Sequence, residues 1–222
     1  MTPPHNAGDW TLDELREHLA PEIAANAAFD GWGDEALGMA ADALGVDRDV
    51  AALAFPGGAA EMIDAWFASV DRAMLAALPA GALADLKIRA RIAALVEARL
   101  TAVAPEREAL RRALAVLALP GNIARAARLG WRTVDLIWRA AGDTATDYNH
   151  YTKRAILLGV YGATVAVFLD DESEGWAETR GFLSRRIDGI LRFEKAKAGF
   201  TQRAELRPSL ARFVGRLRYP VV

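Results

Sequence analysis

Apolar residues recur at helical spacing along most of this chain, in blocks broken by glycine and proline, and no stretch alternates with the two-residue period of a strand. Alanine supplies much of the 53% hydrophobic content, whereas the strand-favouring residues valine, isoleucine and threonine are sparse. Such a chain is expected to be all-α. Its 222 residues suffice for one domain with a large core, or for a small domain joined to a larger one.

The blocks can be followed in order. Thr11-Leu12-Asp13-Glu14 has the form of a capping box and opens a helix carrying Leu12, Leu15, Leu19 and Ile23, with Pro21 expected to bend or break it. After Gly31-Trp32-Gly33 a short helix ends at Gly45, and another covers about 47–54. Phe55-Pro56-Gly57-Gly58 then turns the chain into a longer helix over about 60–78. Beyond Pro79-Ala80-Gly81, helices are expected over about 83–104, 106–117 and 123–141, with Pro105 and Pro120-Gly121 at the breaks. Thr144 to Asp147 can form a second capping box, which launches a helix containing 151–169. The acidic stretch 170–174 precedes a last one over about 176–197.

Several classes are excluded or disfavoured by composition. There is no cysteine, hence no disulfide, thiolate metal site or cysteine nucleophile. The first ten residues have neither the basic region nor the apolar core of a secretory signal. The longest apolar run, Ala155 to Leu169, would rise about 22 Å as a helix, short of the roughly 30 Å of a bilayer core, and reads as a buried core helix. The net charge of −2 conceals an acidic head and a basic tail. Residues 1–49 hold eleven Asp/Glu against Arg16 and Arg48, and residues 194–222 hold seven Lys/Arg against Glu194 and Glu205.

Three short helices, with glycine at the second turn and Phe-Pro before a long fourth helix, resemble the head of TetR-type regulators. The matching stretch runs from Gly31-Trp32 through Gly45-Val46 to Phe55-Pro56. A DNA-reading helix needs Lys or Arg for phosphates and Arg, Asn or Gln for base edges. The helix in that position, Asp47-Arg48-Asp49-Val50-Ala51-Ala52-Leu53-Ala54, offers one arginine between two aspartates. The head reads as a degenerate helix-turn-helix with no nucleic-acid partner. A ligand-responsive TetR-like regulator is the alternative.

The most distinctive passage is Leu119-Pro120-Gly121-Asn122-Ile123, then Val134-Asp135-Leu136-Ile137-Trp138, then Ala141-Gly142-Asp143 through Asp147-Tyr148-Asn149-His150-Tyr151 to Lys153-Arg154. It resembles the COQ9 family signature, and the likeness continues through Tyr161, Asp170-Asp171, Trp176, Thr179, Phe182-Leu183, Arg186-Ile187 and Ile190. The resemblance implies an all-α, TetR-like fold that has lost DNA binding. It further implies an apolar cavity for an isoprenoid lipid or ubiquinone precursor, a COQ7-type di-iron hydroxylase as partner, and a homodimer. The family's surface patch carries over to Asp147, Asn149, His150 and Tyr151, with His150 standing where relatives have tryptophan.

The residues themselves support two sites and leave alternatives open at each. Tyr148, His150 and Tyr151 cluster at a helix start, as interface anchors or with one aromatic in the core. Gly159 and Gly162 lie among Leu157, Leu158, Val160 and Val165, where small residues admit either a lipid chain or a neighbouring backbone. The expected cavity lining is Trp131, Val134 and Trp138 from one helix and Leu158, Gly159, Gly162 and Val165 from the next.

In the tail, Leu210, Phe213, Val214 and Leu217 fall at helical spacing, with Arg212, Arg216 and Arg218 mainly elsewhere around the wheel. A basic amphipathic helix fits a peripheral membrane surface, with Leu210, Arg212, Phe213, Arg216 and Leu217 in contact, or packing on the chain's own body or acidic head. Chemistry finds little to use. Asp147 and His150 have the spacing of a di-iron half-site, but no second element exists, and no cofactor, metal site or catalytic residue is expected. The divisions expected are a head over 1–79, a lipid-binding body over 80–198 and a tail over 199–222. The alanine-rich composition fits a high-GC bacterium, and hence a bacterial cytoplasmic protein peripheral to the inner membrane.

Overall fold

The computed structural model describes residues 10–143 and 148–189, all of whose regular structure is helical. The chain divides into two compact units, 1–183 and 184–222, and only 184–189 of the second are described. In order, the helices are α1 (Leu12–Asp30), α2 (Asp34–Leu44), α3 (Arg48–Ala54), α4 (Ala59–Ala77), the single turn α5 (Ala80–Leu83), α6 (Ile88–Val103), α7 (Arg107–Leu117), α8 (Ile123–Ala140) and α9 (Tyr148–Asp170). The last described helix, α10, covers 177–189.

Local chemistry accounts for most boundaries. The Thr11 hydroxyl accepts from the Glu14 amide while the Glu14 carboxylate accepts from the Thr11 amide, completing the capping box. Gly45 adopts φ +66°, a left-handed conformation that would strain any residue with a β-carbon, and closes α2. Two expectations are corrected. α1 runs unbroken through Pro21, whose ring is exposed, because Leu19, Ala20, Ile23, Ala24 and Ala27 on either side are buried against α2, α4 and α7. The helix expected from 83 begins only at Ile88. Before it, the Arg91 guanidinium ties down the loop by donating to the Ala84 and Leu86 carbonyls, both at 2.8 Å, and to Ala141 O at 3.0 Å.

The head helices α1–α3 pack on one another, and α1 also packs on α4 and α7. Trp32 fastens this corner: its ring lies 5.2 Å from that of Trp66, and its indole N–H donates to Ala109 O at 3.0 Å. On α3, Arg48 is engaged by Asp42, with Nε–Oδ1 at 3.0 Å, while Val50 and Leu53 are exposed. The Asp42 carboxyl is held below its ordinary range by that hydrogen bond.

Among the described residues α9 is the one helix long and apolar enough to cross a membrane, although 39% of its apolar stretch is buried inside the fold. At 23 residues it rises about 34 Å, longer than the apolar run read from the sequence. Its buried side packs against α6, α7 and α8, and Tyr151, Ala155, Gly159, Gly162 and Ala166 lie exposed along it.

Asp171 fixes the turn out of α9. One carboxylate oxygen accepts from the Ser173 amide and hydroxyl, at 2.9 and 2.5 Å, and the other from the Thr179 amide and hydroxyl, at 2.8 and 2.6 Å. Burial disfavours its charge, but these four bonds outweigh burial and hold the carboxyl far below the usual carboxylate range. A lowered pKa contributes stability that is present above the unfolded value, about 3.9, and is lost as pH falls through the folded one. Urea unfolding at pH 7 should therefore show Asp171→Asn less stable by about 1–3 kcal/mol. The difference should shrink below about pH 4.

Candidate functional site

A cavity of about 370 Å³ lies among α4, α6, α7, α8 and α9. Leu110, Leu114 and Leu117 of α7 form one apolar wall; Ala126, Leu129 and Gly130 of α8 and Leu158, Gly162 and Val165 of α9 form others. Small residues create the space. A β-carbon at Gly130 would sit 2.7 Å from Leu158 Cδ1, so glycine makes room for that side chain against α8, whereas a β-carbon at Gly162 would meet nothing within 4 Å.

One part of the lining is polar. Arg99 on α6 is 2% exposed and donates from Nε to Asp71 Oδ1 at 2.7 Å and from Nη1 to the Tyr161 hydroxyl. Its guanidinium lies over the Phe67 and Tyr161 rings, 5.3 Å from each centroid. Thr133 Oγ1 on α8 donates weakly to Asp71 Oδ1 at 3.4 Å. Burial works against the Arg99 charge, but Tyr161 and Asp71 more than offset it and its pKa stays raised. Burial likewise pushes the Tyr161 phenol up, so it remains protonated.

Of the residues expected to line a cavity, Leu158, Gly162 and Val165 do so. Trp131, Val134, Trp138 and Gly159 lie outside this lining. Trp138 and Trp131 instead face the start of α9: the Trp138 indole N–H donates to Lys153 O at 3.2 Å, and the Trp131 ring stacks on Tyr151 at 6.2 Å. Val134 is buried, and Gly159 is exposed with open space around it. The sequence pattern did not mark Phe67 or Arg99 as lining residues, and Tyr161 stood out only as part of the family-like stretch. A signal existed: Ile92, Leu95, Val96, Arg99 and Val103 share one helical face, with an arginine at a core position, and Asp71 sits likewise between Phe67 and Met74.

The α8–α9 corner is built around Arg154, which is 1% exposed. Its Nε donates to Asp135 Oδ1 at 2.5 Å, and its Nη1 to Asp143 Oδ2 at 3.3 Å and His150 O at 3.1 Å. Lys153 Nζ reaches Asp143 Oδ1 at 2.9 Å, and Arg139 reaches Asp135 Oδ2 at 2.8 Å. Burial opposes the Asp143 charge, but Lys153 and Arg154 outweigh it and lower its pKa. On this base Tyr151 is 62% exposed, with the His150 ring edge-on to it at 5.1 Å. Asp147 and the side chain of Asn149 lie outside the described residues, as do Leu210, Arg212, Phe213, Arg216 and Leu217 of the tail. Among the described residues no three His, Asp or Glu are grouped to hold a metal ion.

The helical order and the head define a TetR-like fold. The chain is similar to the crystal structure of a TetR transcriptional regulator from Nitrosomonas europaea, with a TM-score of 0.64 and 28% identity, covering 79% of this chain and 97% of that one. Residues 123–194, which supply α8 and α9, match the COQ9 family. The relatives include the ubiquinone biosynthesis protein COQ9, mitochondrial, of Rattus norvegicus, 33% identical over 82% of this chain, and that of Homo sapiens, 40% identical over 43% of it. This chain belongs to the COQ9 family. It spans 61% of the rat protein's length and 30% of the human protein's.

Removing Arg154 leaves two carboxylates short of a buried partner. Arg154→Ala is expected to lower stability by about 3 kcal/mol in denaturant titration, a loss typical of a broken buried ion pair. A change within 0.5 kcal/mol would mean the corner does not depend on it.

Proposed function

We propose that this chain is a non-catalytic, lipid-binding accessory protein of ubiquinone biosynthesis. It takes up a polyprenylated quinone precursor and presents it to a partner hydroxylase at the membrane. The observation that carries this reading is the largely apolar cavity, walled in part by α8 and α9, within the stretch matching the COQ9 family. Its volume is within the range of small-ligand pockets, and its few polar groups converge in the way such pockets orient a ligand. The names of the relatives supply the pathway.

The exposed Tyr151, backed by Trp131 and anchored through Arg154, is the hydroxylase-facing corner in this reading, together with Asp147, Asn149 and His150. Tyrosine suits that role because it presents a large rigid surface at small entropic cost. The membrane contact rests on the sequence pattern of the basic tail, and the homodimer on the family resemblance. The relatives' names place those proteins in mitochondria. For this chain, composition is the ground for a bacterial cytoplasmic setting at the inner membrane. The solved TetR regulator favours a second reading, a ligand-responsive DNA-binding protein. Against it, the one arginine of α3 is held by Asp42 between two further aspartates.

Gly162→Leu gives the test. The new side chain starts in open space beside the cavity, so it should fill the cavity without disturbing the fold. A strain lacking the gene is expected to accumulate a precursor one hydroxylation short of ubiquinone. The wild-type gene should restore ubiquinone, and the Gly162→Leu gene should restore less than a tenth of it. Normal ubiquinone in the deletion strain would reject the pathway assignment, and full restoration by the variant would reject the cavity.

A further inference from the structure

The polar groups of the cavity carry information about the ligand that its walls do not. Its lining has three polar side chains, Arg99, Thr133 and Tyr161, and no carboxylate or amide. Arginine has donors only. The Tyr161 hydroxyl already accepts from Arg99, and its own hydrogen meets no acceptor among the described residues. A phenol held in this way has its hydrogen to offer, so it can serve a ligand as a donor.

Charge narrows the class further. Arg99 is paired with Asp71 inside the protein, both side chains being less than a tenth exposed; Arg132, 3.9 Å from the other Asp71 oxygen, is itself paired with Asp64, so the cluster is already neutral. A cationic head would face the guanidinium, and an anionic head would add an unbalanced charge to a buried site. A neutral head with an acceptor oxygen suffers neither penalty. Size agrees. The cavity's 370 Å³ equals about a dozen waters at liquid density, room for a substituted ring but not for a long polyprenyl chain as well.

Resting on the lipid-binding reading above, we propose that Tyr161, held in place by Arg99, is a specificity-determining donor that reads a neutral carbonyl or ether oxygen on the ring of an amphiphile. The ring enters the cavity first, and most of the isoprenoid tail stays outside. This polarity accounts for a charged pair at the centre of an oily bundle, where well-packed apolar residues would serve stability at least as well.

Three probes of similar chain length test it: a ubiquinone carrying two isoprene units, the hydrocarbon farnesene, and a medium-chain fatty acid. Quenching of tryptophan fluorescence follows the quinone, and displacement of bound quinone follows the other two. Wild-type protein should bind the quinone at least tenfold more tightly than either competitor. Tyr161→Phe should lose about tenfold for the quinone, the equivalent of one hydrogen bond, and nothing for farnesene. Equal wild-type affinity for quinone and farnesene, preference for the fatty acid, or an unchanged quinone affinity in a folded Tyr161→Phe overturns the inference while leaving lipid binding intact. If none of the three probes binds, the lipid-binding reading fails as well. The wild-type comparison needs no variant, so the test survives any folding defect of the substitution.

Discussion

The buried link from Asp71 through Arg99 to Tyr161 joins α4, α6 and α9, and Thr133 brings in α8. Four helices, α4 and three that follow it, thus meet at one charged cluster inside an otherwise apolar bundle. Each member constrains the others, because a carboxylate or guanidinium removed from water tolerates no slack in its partners. The cavity opens beside this cluster, where Gly162 withholds a side chain that would otherwise help to fill it. Packing and site are therefore one construction: the groups that fix the helices also supply the cavity's polar chemistry.

A second polar cluster, around Arg154, governs the other end of α8 and the start of α9. It has no part in the cavity lining and holds instead the corner from which Tyr151 projects. α9 connects the two, carrying Arg154 and Tyr151 near one end and Tyr161, Gly162 and Val165 along its length. A helix used in this way has mixed obligations, which explains why it is apolar enough to resemble a membrane span and yet carries a fully buried arginine.

Most of the fold was legible in the sequence because it is written in local chemistry. The Thr11–Glu14 box, the left-handed Gly45 and the breaks at Pro105 and Pro120 are all decided within a few residues. Pro21 misled because the cost of its missing N–H is local while the burial that offsets it comes from three other helices. The site was half legible for a related reason. Gly162, Leu158 and Val165 could be found as small or apolar positions on one helix, but Phe67, Arg99 and the α7 leucines reach the cavity only through tertiary packing. Trp131 and Trp138 of α8 were expected in the lining, whereas Trp138 is turned by its indole N–H towards the α9 backbone.

The head's helices, turn glycine and link through Trp32 keep a helix-turn-helix in place, while the surface of α3 offers one paired arginine and an exposed Leu53 where phosphate contacts would be needed. The centre of function in this account lies in the body. Organic extraction of protein purified from its own host without detergent, followed by mass spectrometry, tests that most directly. A near-stoichiometric isoprenoid quinone or quinone precursor is expected, and protein that repeatedly comes away empty, or holding only fatty acids, would contradict the lipid-binding reading.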